Sequence, residues 1–536
     1  MGPGMRLSPL LPTFDRTLLP TLGRTLGIAL ALSLISTGCK KANADIALSK
    51  QAGAPDVDNG TIPSVPVPAE NGPKLVALSA SVSVYERPFK SAPVIGSLRF
   101  GAQVARAPEA FKKNAECEGG FYPVRPRGFV CADAAVSLES AEIAPAPDTT
   151  KALPYRYASV KSATPLYSRL PTRSEQIENE PGLERHLAKV AKREPVSLRA
   201  GANDVPLDER GVPTGIASIT KGAEGIGEDG KRTASTFFEF AASAPAPALP
   251  DRGAIVAMVM RRGSSMAITG SVSTEGPSGP RQFGITPEAN YIPLDKVEPI
   301  LGSTWHGVDL TKEKSVPIGF VLRHEVSPYS LGKGKAKRLD DEEVEKRTAV
   351  FLTGRFRTVE SVQYDEAEDG TWFRSKDLIK VVKRTKFPDF VQAGSKWVDV
   401  SLALQTITLY EGKKPIYTSL ISSGKDMLGD PATSAATLQG TFSVAKKATS
   451  LTIDPREVDQ AFDVFHAPYG LEFSPGFAIV GSTWSDPQGE ARGFHNIALT
   501  PIDAHRLYSF AGPEVPTGWS FITPTADETI TVHVRK

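Results

Sequence analysis

Apolar and polar residues alternate along most of this chain in short runs broken by glycine and proline, the period-two signature of β-strands. The first region reads Val82-Ser83-Val84-Tyr85, Val94-Ile95-Gly96-Ser97-Leu98, Phe100-Gly101-Ala102-Gln103-Val104, Gly120-Phe121-Tyr122-Pro123-Val124 and Gly128-Phe129-Val130-Cys131. That spacing predicts a small antiparallel barrel over residues 74–140. A second β-rich module follows over 150–300, with strands at 160–167, 254–260 and 290–294. It is interrupted at 174–194 by a charged stretch of helical propensity that Pro181-Gly182 divides into two short helices. A third β segment, 301–390, has strands at 316–322 and 377–382 and a turn, Asp369-Gly370, before Trp372-Phe373. Its dense mixture of both charges at 333–347 reads as a solvated loop. The last region, 395–536, opens with apolar alternation at 396–402, 405–410, 414–417 and 420–424 around the turn Glu411-Gly412, which predicts a meander. The fold class expected is mainly β and multi-domain: small β-barrels, then a carboxy-terminal β-sandwich with short helices.

Composition adjusts this picture little. A length of 536 residues suits three or four modules, and 40% apolar with 23% charged residues argues against wholesale disorder or a polytopic membrane protein. Basic and acidic residues, 62 and 60, leave a charge of +2, so bulk electrostatics predicts no nucleic-acid partner. We find no phosphate-binding glycine loop, metal-ligand spacing or nucleotide fingerprint, so no cofactor and no metal are expected.

The amino terminus carries an address. Arg6, Arg16 and Arg24 precede the apolar run Ile28-Ala29-Leu30-Ala31-Leu32, too short for a spanning helix and typical of a secretory signal. The run ends Ser36-Thr37-Gly38-Cys39, which resembles the bacterial lipobox; Ser36 departs from the usual aliphatic residue. The resemblance implies a signal peptide over 1–39, lipidation of Cys39 and anchorage to the periplasmic face of a bacterial membrane, the outer one because no aspartate follows the cysteine closely. Cleavage without lipidation near Ala42-Asn43-Ala44 is the other reading. Residues 40–73, rich in proline, glycine and small residues, read as a disordered tether. In an oxidising compartment Cys117 and Cys131 are most simply a disulfide, with two packed thiols as the alternative.

The order of short strands in the first region also resembles the bacterial SH3-like domain, whose members often bind cell-wall peptides; Asp369-Gly370-Thr371-Trp372-Phe373 gives the third segment a similar look. The carboxy-terminal region resembles the L,D-transpeptidase catalytic domain, the peptidoglycan cross-linking family. After the meander the match runs through Leu438-Gln439-Gly440-Thr441-Phe442, Gly476-Phe477-Ala478-Ile479, Trp484, Leu499-Thr500-Pro501-Ile502-Asp503-Ala504 and Pro516-Thr517-Gly518-Trp519.

The family's chemistry does not carry over with the fold. Members place a His-Gly pair at the end of an apolar strand and a cysteine nucleophile in a later Ser-His-Gly-Cys run. Here the first pair reads Val480-Gly481, and the second maps onto Gly493, Phe494, His495 and Asn496. The last cysteine in the chain is Cys131, so this region holds no thiol. An amide with a delocalised lone pair cannot replace the thiolate that acyl transfer needs. The leading reading is therefore an exported lipoprotein whose transpeptidase-like domain binds or scaffolds peptidoglycan stem peptides without catalysis, alongside other wall-synthesis proteins. Trp484 and Arg492 are the candidate binding residues, Arg492 for a stem-peptide carboxylate. The alternatives are an active transferase using a substituted nucleophile such as Ser482, served by His466, His495 or His505, and a structural spacer with no ligand.

Overall fold

Valines at alternate positions turn one edge of each strand inward, and Val82 and Val84, both buried, show this in the first region of the computed structural model. The structure describes residues 65–139, 145–194, 197–214, 233–240, 253–311, 315–340, 342–453 and 462–536, all within the compact unit Ile62–Lys536. The signal peptide, Cys39 and the tether up to residue 64 lie outside the described residues. No helix among those described is long and apolar enough to cross a membrane.

The chain is mainly β, built as several sheets with few short helices. Among the described residues no sheet closes into a barrel. The small barrels expected from sequence are open sheets that exchange strands with their neighbours. In the first region Lys74–Ala77 lies between Gln103–Ala105 and Val136–Ser137. Ser81–Tyr85 instead pairs Val94–Arg99, whose other edge takes Trp519–Ile522 from the far end of the chain. Trp519 is fully buried among Leu75, Val82, Val84, Leu98 and Val130. Gly96 admits it: a Cβ there would lie 2.2 Å from the indole. Cys117 and Cys131 form a disulfide, closing the hairpin Cys117–Pro123 and Phe129–Cys131.

Residues 173–190 form two helices, Arg173–Asn179 and Leu183–Val190, separated by a left-handed Gly182. Thr172 and Glu175 close a capping box on the first. Below them Glu180, fully buried, is held by Arg281 at 2.7 Å and Lys296 at 2.6 Å. Burial of that carboxylate is tolerated because both cations and Tyr167 bond it. Ser265–Ile268 from this region runs beside Val464–Ser474 of the last one.

In the third segment one sheet runs Ala336–Arg338, Tyr329–Leu331, Trp372–Arg374, Val362–Ala367, Ala349–Val359, Ile318–Val321, Leu378–Val381. The expected loop at 333–347 is only partly loop. Its middle forms the edge strand Ala336–Arg338, because Ala336 pairs with Leu331 and Arg338 with Tyr329, and its end, Lys346-Arg347, is half-buried.

The carboxy-terminal meander is present as Lys396–Ser401, Thr406–Glu411 and Lys414–Leu420 in antiparallel register about Glu411-Gly412. Thr531–Arg535 joins it in parallel and Val308–Asp309 caps its outer edge. A second layer contains Lys446–Ile453, Val464–Ser474, Phe477–Gly481 and Ile497–Leu499. Val398, Val400, Leu409, Tyr469, Leu471, Ile479, Ile497 and Val532 fill the space between. The helix Pro501–Phe510 packs on Val464–Ser474 and Phe477–Gly481. Thr500 caps its start, and buried Asp503 in its first turn accepts from Gly307 N–H at 2.8 Å, Tyr417 at 2.5 Å, Ser419 at 2.6 Å and Thr500 at 2.8 Å.

Candidate functional site

The strand Phe477–Gly481 runs parallel to Ile497–Leu499, with Ile479 opposite Ile497 and Val480 opposite Ala498. This register brings the two mapped motifs side by side: Val480-Gly481 end one strand while 493–496 lead into the other. Val480 is fully buried in an apolar cluster with Ile453, Val464, Ala467 and Ala478. Gly481 has no room for a side chain, since a Cβ would meet Pro468 Cγ at 2.8 Å and Ala504 Cβ at 3.1 Å.

Each of the four residues in the second motif is engaged locally. Gly493 donates its N–H to Ser423 at 2.8 Å and accepts from Lys425 N–H at 2.8 Å. The Lys425 ammonium sits 4.7 Å from the centre of the half-buried Phe494 ring. His495 takes a left-handed backbone, φ 50°; its Nε2 donates to the Ser434 carbonyl at 2.7 Å and its ring lies 5.0 Å from that of Phe477. Asn496 accepts the Ala478 N–H through Oδ1 at 2.8 Å. That bond ties the start of one strand to the neighbouring one and spends the carboxamide oxygen on backbone.

Ser482, the alternative nucleophile, is buried. Its hydroxyl donates to the Ser485 carbonyl at 2.6 Å and accepts the Ser485 N–H at 3.2 Å, a closed local turn. The three nearby histidines are committed elsewhere: His495 to Ser434, His505 to the Thr149 carbonyl at 2.9 Å, and His466 to Glu288 at 2.5 Å. Burial also pushes the His505 imidazole below its ordinary range, which disfavours its charged form. Among the described residues here, Ser482 is bonded to none of the three histidines.

It does bring together a cleft of about 520 Å³. Trp484, Arg492, Gly493, Phe494 and Asn496 line it with Ser422, Ile453 and Ala498. His495 lies outside, in a second pocket of about 210 Å³ that shares Asn496 as its wall. Sequence reasoning missed one side of the cleft altogether. Lys346 and Arg347 reach in from the third segment. Lys346 bonds Glu490 at 2.6 Å, which Arg492 also grips at 2.6 Å, and Arg347 bonds Asp486 at 2.8 Å. The hydrogen bond from Lys346, aided by that from Arg492, holds the Glu490 carboxyl below its ordinary range. The cleft therefore presents three cations and two carboxylates around an apolar floor. The only sequence signal for Lys346-Arg347 was their place directly before an apolar run, which says nothing about a partner some 140 residues away. Among the described residues no group of three or more His, Cys, Asp and Glu side chains is gathered that could hold a metal ion.

No family profile matches the chain, and no curated protein matches it. Several solved structures do. An L,D-transpeptidase from Stackebrandtia nassauensis is 19% identical over 28% of this chain and 62% of its own, with a TM-score of 0.20. An L,D-transpeptidase from Xylanimonas cellulosilytica is 16% identical over 28% and 65%, with a TM-score of 0.20. The catalytic domain of the Enterococcus faecium L,D-transpeptidase is 21% identical over 27% of this chain and 99% of its own, again with a TM-score of 0.20. The chain thus spans less than two thirds of the length of the first two.

Proposed function

We propose that this protein is an exported, lipid-anchored envelope protein whose carboxy-terminal domain binds peptidoglycan stem peptides in the Trp484–Arg492 cleft without catalysing acyl transfer. The observation that carries the reading is Asn496. It occupies the position at which the sequence resemblance expects the nucleophile, its carboxamide oxygen is bonded to a strand amide, and the chain has no cysteine beyond Cys131. Removal of a nucleophile that works as a unit with its base abolishes most catalysis. A binding role is supported by the cleft itself. A stem peptide carries carboxylates and a free amine, and the cleft offers Arg492, Lys346 and Arg347 for the former and Glu490 and Asp486 for the latter. Arg492 is exposed, and exchanging an exposed ion pair for a ligand contact costs about 1 kcal/mol or less.

Anchorage through Cys39, residence on the periplasmic face of the outer membrane, SH3-like character of the first and third regions, and partnership with wall-synthesis proteins belong to the same proposal. They rest on the sequence. The test is calorimetric titration of the full-length protein with a purified tetrapeptide stem. The wild type should bind, and Arg492→Ala combined with Lys346→Ala should loosen the dissociation constant about tenfold or more, the loss of one good charge-assisted contact. Equal affinity in the variant, or no binding by the wild type, would remove the cleft from the account.

A further inference from the structure

The third segment carries a second surface that the cleft does not use. Across its sheet the residues paired side by side are Arg357 with Tyr364 and Tyr364 with Arg374; one step along, Trp372 pairs with Tyr329 and Tyr329 with Arg338. Directly opposed residues in antiparallel strands share a face, as do residues two apart. All six side chains therefore stand on one face, in strand order arginine, tyrosine, arginine, tyrosine, arginine. The rings are covered rather than displayed: Tyr329, Tyr364 and Trp372 are 6%, 4% and 8% exposed. The Arg374 guanidinium lies 4.8 Å from the Tyr329 ring and that of Arg357 lies 5.9 Å from Trp372, so guanidinium covers the rings.

Glu366, opposite Trp372 and so on this face, is tied to Arg355 and also feels the Arg357 charge; Asp340 is tied to Arg338 at 3.1 Å, and Asp377 lies beside Tyr329. Among the described residues none of them bonds Arg357 or Arg374, and the buried Nε of Arg374 has no acceptor. The backbone positions of the three arginines lie two strands apart, roughly 10 Å, and the Arg357 and Arg374 side chains lean along the row over Trp372 and Tyr329. A site for one phosphate converges its donors on a point; a row does not.

We propose that this row is a docking face for a linear anionic glycan bearing a carboxylate on about every second sugar, a repeat comparable to the backbone spacing of the arginines. Charge complementarity selects a polyanion. The buried rings cannot stack on bases, which argues against single-stranded nucleic acid. The exposed aromatic nearby, Phe356, pairs with Asp365 and so belongs to the opposite face, and the apolar residues of this face, Leu331, Ala336 and Val362, are half-buried against the rings, which leaves little for a lipid surface to take up. This site stands apart from the cleft and does not depend on the reading given for it.

The test is binding of the full-length protein to hyaluronate, which carries one carboxylate on every second sugar, and to its fully methyl-esterified form at two salt concentrations. Wild type should bind the acid polymer, more weakly at high salt, and leave the ester unbound. Arg357→Met with Arg374→Met keeps an apolar cover over the rings while removing both charges, and should loosen binding about tenfold or more, as loss of charge-assisted contacts requires. Lys192→Gln with Arg193→Gln, in the exposed turn after the second helix, removes the same two charges, serves as a bulk-charge control and should change it little. An unfolding midpoint for the methionine variant near that of wild type confirms its fold; if the midpoint falls, Arg357→Lys with Arg374→Lys must restore both fold and binding. Equal binding of the ester, undiminished binding by the methionine variant, an equal loss in the control, or stronger binding to phosphatidylglycerol vesicles than to the polymer would each overturn the proposal.

Discussion

At Asn496 the side chain's chemistry and its structural job can be separated. The amide cannot ionise to a nucleophile, and its oxygen is already spent on the Ala478 N–H at 2.8 Å. Asn496→Cys should give no turnover of stem peptides, because Val480 and Phe494 put no imidazole beside the new thiol; measurable acyl transfer by that variant would show that the base comes from elsewhere. Asn496→Ala should lower unfolding free energy by about 1–3 kcal/mol, since it strands a strand-end amide, and a urea titration would read this directly. Glu490 adds a pH signature. Lys346 and Arg492 hold its carboxyl below the ordinary range, so folding favours the ionised form. That contribution is complete above the unfolded value of about 4.5 and is lost as pH falls through the lowered folded one. The stability difference between wild type and Glu490→Gln should be flat above about pH 5 and shrink below it; a difference that widens in acid would mean the ion pairs do not stabilise the fold. The identity of residue 496 was legible in the sequence, and so was the absence of a thiol. Its partner was not, because it depends on a parallel register between strands that nothing local encodes.

At the level of elements, sequence reasoning worked where the signal was local. The meander about Glu411-Gly412, the break at Pro181-Gly182 and the Cys117–Cys131 pairing are each set by neighbours in the chain or by compartment chemistry. It failed where a polar run had a distant partner, as at 333–347, where composition suggested solvent but Ala336–Arg338 pairs with Tyr329–Leu331 and Lys346 bonds Glu490. The helix Pro501–Phe510 shows an architectural use for the run Leu499–Ala504. Thr500 caps the helix start by accepting the Asp503 N–H, and the Asp503 carboxylate gathers donors from Gly307, Tyr417, Ser419 and Thr500. Its charge also pushes the buried Tyr417 hydroxyl well above its ordinary range, after the larger effect of burial. Asp503→Ala should cost about 4 kcal/mol or more, from stranded buried donors; a loss under about 1 kcal/mol by chemical denaturation would be too small for four stranded donors.

Across the molecule, strands that cross between regions do most to integrate the fold. Trp519–Ile522 pairs both Val94–Arg99 and Lys446–Ile453, and Trp519 fills the core of the first region through the gap left by Gly96. Trp519→Ala should therefore cost about 3–5 kcal/mol, and calorimetry should show the loss in the unfolding of both ends of the chain together; an effect confined to one end would mean the shared strand does not couple them. None of this exchange was visible in the sequence, where Pro516-Thr517-Gly518-Trp519 read as part of the last domain alone. The central claim concerns chemistry, and one sample tests it: the full-length protein incubated with purified sacculi, sedimented, and the sacculi digested for muropeptide analysis. The account predicts that the protein sediments with the sacculi while the muropeptide profile stays unchanged. New cross-links or trimmed stems would contradict it and require a nucleophile other than cysteine in this domain.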